Sequence, residues 1–171
     1  MKKRLLACLA IVAVMVGCGG GGGSSSPPAH EPLTGTYAMT GFTVEYNDGS
    51  VFNENSPGIQ SWSGKMEIGP TTIIQVVTLN GVSSGGTFQY TCVWDTATTG
   101  NIHTNTNSVW FSLSNGAMTT YTGVICSGSV CFEEWDYWQK TSESYSVLSE
   151  DEARSQSTGA GTFGVESLLP R

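Results

Sequence analysis

The chain has 171 residues, with 14 Asp and Glu against 7 Lys and Arg, and only 12% of it is charged. A net charge of −7 argues against a nucleic-acid surface and against docking on anionic lipid, both of which select basic patches. Ser, Thr, Gly and Asn fill the gap, a polar and weakly charged surface common in exported β proteins, and the length allows one domain of ordinary size.

Residues 1–17 divide into three parts. Lys2, Lys3 and Arg4 form a positive start, Leu5 to Val16 is an apolar stretch of twelve residues broken only by Cys8, and Gly17 closes it. A bilayer-spanning helix needs roughly 20 apolar residues, whereas a signal-peptide core takes roughly 7–15. The segment is therefore expected to be a signal peptide. From Gly19 to Ser26 the chain holds only Gly and Ser, followed by Pro27 and Pro28, a linker that is flexible and then stiff.

Met15-Val16-Gly17-Cys18 resembles the lipobox of bacterial lipoproteins, with Met15 where that family usually has Leu. Leu5-Leu6-Ala7-Cys8 matches the letters of the motif, but almost no apolar core precedes it. The resemblance implies that the Cys18 thiol carries a diacylglyceryl group, that cleavage leaves Cys18 as the first residue, and that its amine is acylated as well, with palmitate or a similar chain. Two or more acyl chains hold stably, at about 0.8 kcal/mol per buried CH₂. Gly19 replaces the Asp that this family uses to stay at the inner membrane. The implied location is the outer membrane, or the plasma-membrane exterior where there is one membrane. The partner is thus the membrane itself, reached through Cys18. Gly19 to Glu31 would span roughly 20 Å. Loss of the three N-terminal basic residues leaves 4 basic against 14 acidic, a net charge near −10.

Beyond this tether (18–31) the signal is period-two alternation in short runs, expected to make a β domain over 32–141. Thr36 to Tyr46 changes parity near Thr40-Gly41, the mark of a bulge or bend. Asn47-Asp48-Gly49-Ser50 begins like a Ca²⁺ loop, but no ligand series follows at the required spacing, so it reads as a turn. Phe52 to Gly58 reads as loop. Gln60 to Ile68 alternates cleanly, Thr71 to Leu79 is apolar on both faces, and Asn80-Gly81 ends it. Thr87 to Asp95 puts Phe88, Tyr90, Cys92 and Trp94 on one face. Ala97 to Asn107 is polar, an edge strand at most around Ile102. Ser108 to Leu113, Ala117 to Cys126 and Val130 to Lys140 complete the set. About seven or eight strands at this spacing predict an all-β, antiparallel up-and-down barrel, with a β-sandwich as the alternative. Closure is favoured because it removes edges. Leu33-Thr34-Gly35-Thr36-Tyr37 resembles the opening strand of lipocalin-like domains, which begin Gly-x-Trp, with Tyr37 in the Trp position. Residues 142–171 carry no apolar stripe and are expected to be a mostly disordered tail.

Cysteine arithmetic leaves three thiols once Cys8 is removed and Cys18 is lipidated. Cys126-Ser127-Gly128-Ser129-Val130-Cys131 reads as a hairpin on a two-residue Gly128-Ser129 turn of type II′. Cys126 and Cys131 then become a non-hydrogen-bonded pair about 4.5 Å apart at Cα, just inside disulfide reach of about 4.4–6.8 Å. So short a loop stabilises by only about 2 kcal/mol. Cys92 is left as a buried thiol.

The sequence carries no phosphate-binding glycine motif and no zinc spacing. Its histidines, His30 in the tether and His103 in a polar segment, make a poor basis for a triad. No enzyme, metal or cofactor is expected. The concentrated feature is Phe132-Glu133-Glu134-Trp135-Asp136-Tyr137-Trp138. Here the expectation is aromatics in the core and acids near an open end in water. The sharper alternative makes Glu133, Trp135, Tyr137 and Trp138 ligand-facing. The function expected is a non-catalytic, lipid-anchored binding module for a small apolar or amphipathic ligand. The alternative is a structural or protein-interaction lipoprotein with a filled barrel, and an enzyme comes third. Gly64, Gly123 and Cys92 are the small positions that would leave room inside.

Overall fold

The structure, a computed structural model, describes residues 29–146 and Leu168. The proposed signal, Cys18 and most of the tether and tail lie outside these residues. Nine strands run in chain order: β1 (Gly35–Tyr46), β2 (Val51–Asn53), β3 (Trp62–Ile68), β4 (Thr72–Leu79), β5 (Val82–Trp94), β6 (Thr99–Thr104), β7 (Ser108–Ser114), β8 (Ala117–Ser127) and β9 (Val130–Ser142). Every neighbouring pair from β3 to β9 is antiparallel and sequential, and β1 pairs with both β3 and β9. The result is a closed eight-stranded up-and-down barrel. The short β2 is a ninth strand, paired to the last residues of β1.

Turn chemistry sets the hairpin registers. Asn80-Gly81 and Asn115-Gly116 both take positive φ (50° and 81°, 52° and 76°), as a type I′ turn requires of its two central residues. Gly128 takes φ 65° while Ser129 does not, which fits a type II′ turn. The expected register follows, with Ser127 opposite Val130 and Cys126 opposite Cys131. The sulfur atoms are bonded, and the Cα atoms lie 4.0 Å apart.

The bend expected near Thr40-Gly41 is a bulge. Met39 faces Trp138 and Gly41 faces Tyr137, so Thr40 is the extra residue and sits exposed. It switches the inward set from Tyr37 and Met39 to Phe42 and Val44. A second bulge lies in β8 between Tyr121 and Val124, where Gly123 has φ 78°.

Two strands differ from the sequence pattern. β6 is not an edge: it is hydrogen-bonded between β5 and β7, because closure leaves it no free side. β5 begins at Val82 rather than Thr87, through Ser83, Ser84, Gly85 and Gly86. That stretch has no apolar alternation, yet β4 offers it a complete ladder. Phe52 also joins a short strand rather than a loop.

The interior is built from Tyr37, Met39, Phe42, Val44, Met66, Ile68, Ile73, Val77, Leu79, Phe88, Ile102, Val109, Phe111, Leu113, Met118 and Trp138, all buried. Most inward side chains are apolar, and Gln75, Thr87, Thr120, Glu134 and Asp136 are buried with them. The barrel has an entry end and a far end. The chain arrives at the entry end, where Leu33 is buried and its carbonyl accepts from Tyr37 Oη at 2.8 Å. There Glu31 Oε1 accepts from Gly116 N at 2.9 Å, Lys140 Nζ donates to the Pro32 carbonyl at 2.8 Å, and His30 stacks on Trp94 with centroids 4.3 Å apart. The first residues after β9 return to this end. Thr36 Oγ1 donates to the Ser144 carbonyl and Ser146 N donates to Glu67 Oε2. Leu168 packs on the core cluster. The far end carries the β1–β2 turn, the Asn80-Gly81 turn and the disulfide hairpin.

Candidate functional site

β9 divides the sequence-predicted site residues between two faces. Trp138 points inward, is 1% exposed, and its Nε1 donates to Thr120 Oγ1 at 3.2 Å. Glu133, Trp135 and Tyr137 have the opposite parity and lie on the outer face. Glu133 accepts from Tyr121 Oη at 2.9 Å, and Trp135 stacks on the Tyr121 ring with centroids 5.1 Å apart. Tyr137 is exposed. Trp138 therefore does not share a pocket with the other three. Trp110, Tyr121 and Trp135 are successive cross-strand partners and make a row of rings on the outside of β7, β8 and β9.

The sequence pattern places the acids of β9 in water near an open end, and the structure corrects this for two of them. Glu134 and Asp136 are 0% and 1% exposed, facing the barrel interior beside Val44, Phe42 and Thr120. The cause is parity. Trp138 must turn inward to fill the centre, and a two-residue period carries Asp136, Glu134 and Phe132 with it.

The small positions expected to leave room do not all do so. A Cβ on Gly64 would lie 2.7 Å from Met39 Cβ, so the methionine occupies that place. Gly123 belongs to the β8 bulge, away from the centre. Cys92 is half-buried against the core, and burial, with Asp95 second, raises its thiol pKa. A thiol so placed is held protonated and is a poor nucleophile. At Gly100, which the sequence pattern did not single out, the Phe111 ring lies 2.9 Å from a built Cβ.

A cleft of about 330 Å³ opens at the far end, lined by Glu45, Tyr46, Asn47, Gly49, Val124, Cys131, Phe132 and Glu133. Of the sequence-predicted ligand-facing residues, Glu133 alone lines it. One wall is the end of β1 and its turn, and the other is the β8–β9 hairpin. Asn47 ties them: its backbone N donates to the Cys131 carbonyl at 2.9 Å and its Nδ2 to the Ser129 carbonyl at 3.0 Å. The disulfide fixes the second wall, and the β8 bulge leaves Val124 exposed on its rim. Bulges at barrel rims commonly re-aim side chains in this way. Tyr46 and Phe132 are cross-strand partners with rings 6.0 Å apart, and Glu45 and Glu133 are the next pair.

The cleft is electrostatically negative. The Tyr46 phenol is raised above its usual pKa, first by burial, then by Glu134 and Asp48. Asp48 is held below the usual carboxylate range by hydrogen bonds from the Ser50 hydroxyl and backbone N. Glu133 raises the Tyr121 phenol chiefly through their hydrogen bond. A pairing of Glu45 with Glu133 cannot be read from sequence, since it depends on which strands close the barrel. The signal that was available is the Asn47-Asp48-Gly49-Ser50 turn, which forms one wall.

His103 Nδ1 lies 3.0 Å from Ser108 Oγ across β6 and β7, but both residues are exposed on the outer surface, away from the cleft. Among the described residues no group of three or more His, Cys, Asp or Glu is placed to hold a metal ion. Comparison of the chain with protein families, with curated proteins and with solved structures finds no match.

Proposed function

We propose that this chain is a lipid-anchored envelope protein, held through Cys18, whose filled barrel serves as a protein-interaction module rather than a carrier of apolar ligands. One observation supports the choice. Phe42, Val44, Met66, Ile68, Ile73, Ile102, Val109 and Phe111 are all 0% exposed. A hollow large enough for a ligand would leave its walls with surface open to a water molecule, and these side chains have none. Met39 fills the space over Gly64, and Phe111 fills the space over Gly100. Interior close packing of this kind stabilises a scaffold and leaves function to its surface.

The test is a screen of fatty acids, haem and an apolar fluorescent dye against the full chain, read by tryptophan fluorescence and by dye emission. No saturable one-to-one binding is expected. Stoichiometric binding abolished by Trp138→Phe would overturn the filled-barrel reading. The anchor has its own test. Cys18→Ser should release the protein from membranes and block incorporation of labelled palmitate, and unchanged membrane retention would count against Cys18.

A further inference from the structure

We propose that the segment around Leu168 is a built-in occupant of the barrel's apolar cluster, a removable plug that keeps apolar ligands out. The proposal rests on the filled-barrel reading above and names a part of the chain that does the filling.

The route of the chain is the first argument. β9 ends at Ser142, and the residues after it turn back across the entry end. Thr141 Oγ1 donates to the Thr36 carbonyl at 3.1 Å, and Thr36 Oγ1 donates to the Ser144 carbonyl at 2.6 Å, which ties this stretch to β1. Ser146 N then donates to Glu67 Oε2 on β3 at 2.9 Å. The Tyr145 ring covers Gly69 in the β3–β4 turn, with its Cδ2 3.3 Å from a Cβ built there. Tyr90 of β5 donates to the Gly69 carbonyl at 2.7 Å and holds that turn in place. Within a few residues the chain has passed from β9 over β1 to β3 and the turn beyond it. It leaves β9 toward the barrel, not away from it.

The contact at Leu168 is the second. This side chain is half-buried and packs against the buried core cluster, far along the sequence from the end of β9. The chain from Ser146 to Leu168 could extend about 70 Å at full stretch, so its connection to β9 does not force Leu168 onto the barrel. Closing so long a loop costs chain entropy. Burial of a branched alkyl side chain on apolar neighbours is what opposes that cost.

The balance between these terms is the third. The other residues of the cluster that lie in strands are held by hydrogen-bonded ladders, whereas Leu168 belongs to none of the nine strands. Contacts held by side-chain burial alone open at lower free energy than those built into a sheet. The leucine can therefore leave while the barrel stays closed. Its withdrawal uncovers apolar surface shaped for an alkyl group, the kind of surface an apolar dye takes.

The experiment compares the full chain with Leu168→Asp and with a chain ended after Thr162, using an apolar fluorescent dye and amide NMR spectra. Wild type should bind the dye poorly. Both variants should bind it about tenfold more tightly, the factor that corresponds to withdrawing a half-buried leucine. Their amide dispersion should be retained, with shifts confined to the apolar cluster. Val82→Asp, which adds an acid at an exposed position on β5, should leave dye binding unchanged. Dye binding equal to wild type in both variants overturns the plug, and so does an equal gain in Val82→Asp. Loss of dispersion in both variants also overturns it, because the segment would then be required for the fold and not removable from it. Stoichiometric dye binding by wild type sinks the filled-barrel reading instead, so the two failures are distinguishable.

Discussion

The two ends of the barrel solve the same problem in opposite ways. At the entry end the chain itself closes the opening, with Leu33 buried, Glu31 on the Gly116 amide, Lys140 on the Pro32 carbonyl and over the Tyr37 ring. At the far end Phe52 and Trp62 pack on Phe42, and beside them lies a cleft with Glu45 and Glu133 on its walls, braced by the disulfide hairpin. One end is sealed by packing and balanced charge. The other is held by covalent chemistry, and among the described residues no lysine or arginine lines its cleft. A surface of the second kind fits binding better than one of the first, because its groups remain available to a partner.

Four experiments test that contrast. Leu33→Ala should be the most damaging, destabilising by about 2–4 kcal/mol as buried leucine truncations do. Urea denaturation measures it, and a loss under 1 kcal/mol would mean the entry segment is not a plug. Opening the far end with Cys126→Ala and Cys131→Ala should cost only about 2 kcal/mol, and the cleft amides should broaden in NMR while those around Leu33 stay sharp. Broadening at both ends alike would erase the distinction. Glu45→Gln should change stability by no more than about 0.5 kcal/mol, with a slight gain expected from relieving Glu133. A clear loss would show that the charges support the fold.

The smallest effect at neutral pH is the alkaline one, since it is absent there. Tyr37 and Tyr90 both sit toward the entry end, and burial, first among the causes for each, raises their phenols. Tyr90 moves from 10.0 to about 12 and Tyr37 higher still. The folded state then keeps protons that the unfolded chain releases near pH 10, so stability is intact below pH 10 and falls as pH rises toward 12. Tyr90→Phe should flatten that fall in pH-dependent unfolding. A slope that is the same in Tyr90→Phe and wild type would show that this phenol does not contribute.

Local features were legible where one residue type forces one geometry. The Gly128-Ser129 turn fixed the Cys126–Cys131 pair, and the parity change at Thr40-Gly41 located the bulge. The start of β5 was not legible, because Ser83 to Gly86 have no apolar rhythm and become a strand only through the ladder that β4 supplies. The four ligand-facing candidates failed to converge for a related reason. Glu133, Trp135 and Tyr137 share one parity and Trp138 has the other, so the pleat sends Trp138 into the barrel and the other three to its outer face.

What the sequence determined alone is the alternation, the turns, the disulfide and the acidic balance, all of which depend on neighbours within a few residues. Which face of β9 turns inward was decided by tertiary packing. Trp138 fits the barrel centre, and that choice buries Glu134 and Asp136 and leaves Glu133 on the rim opposite Glu45. Closure of β1 onto β9 brings together residues nearly ninety positions apart, and a far-end cleft exists only because that ladder closes.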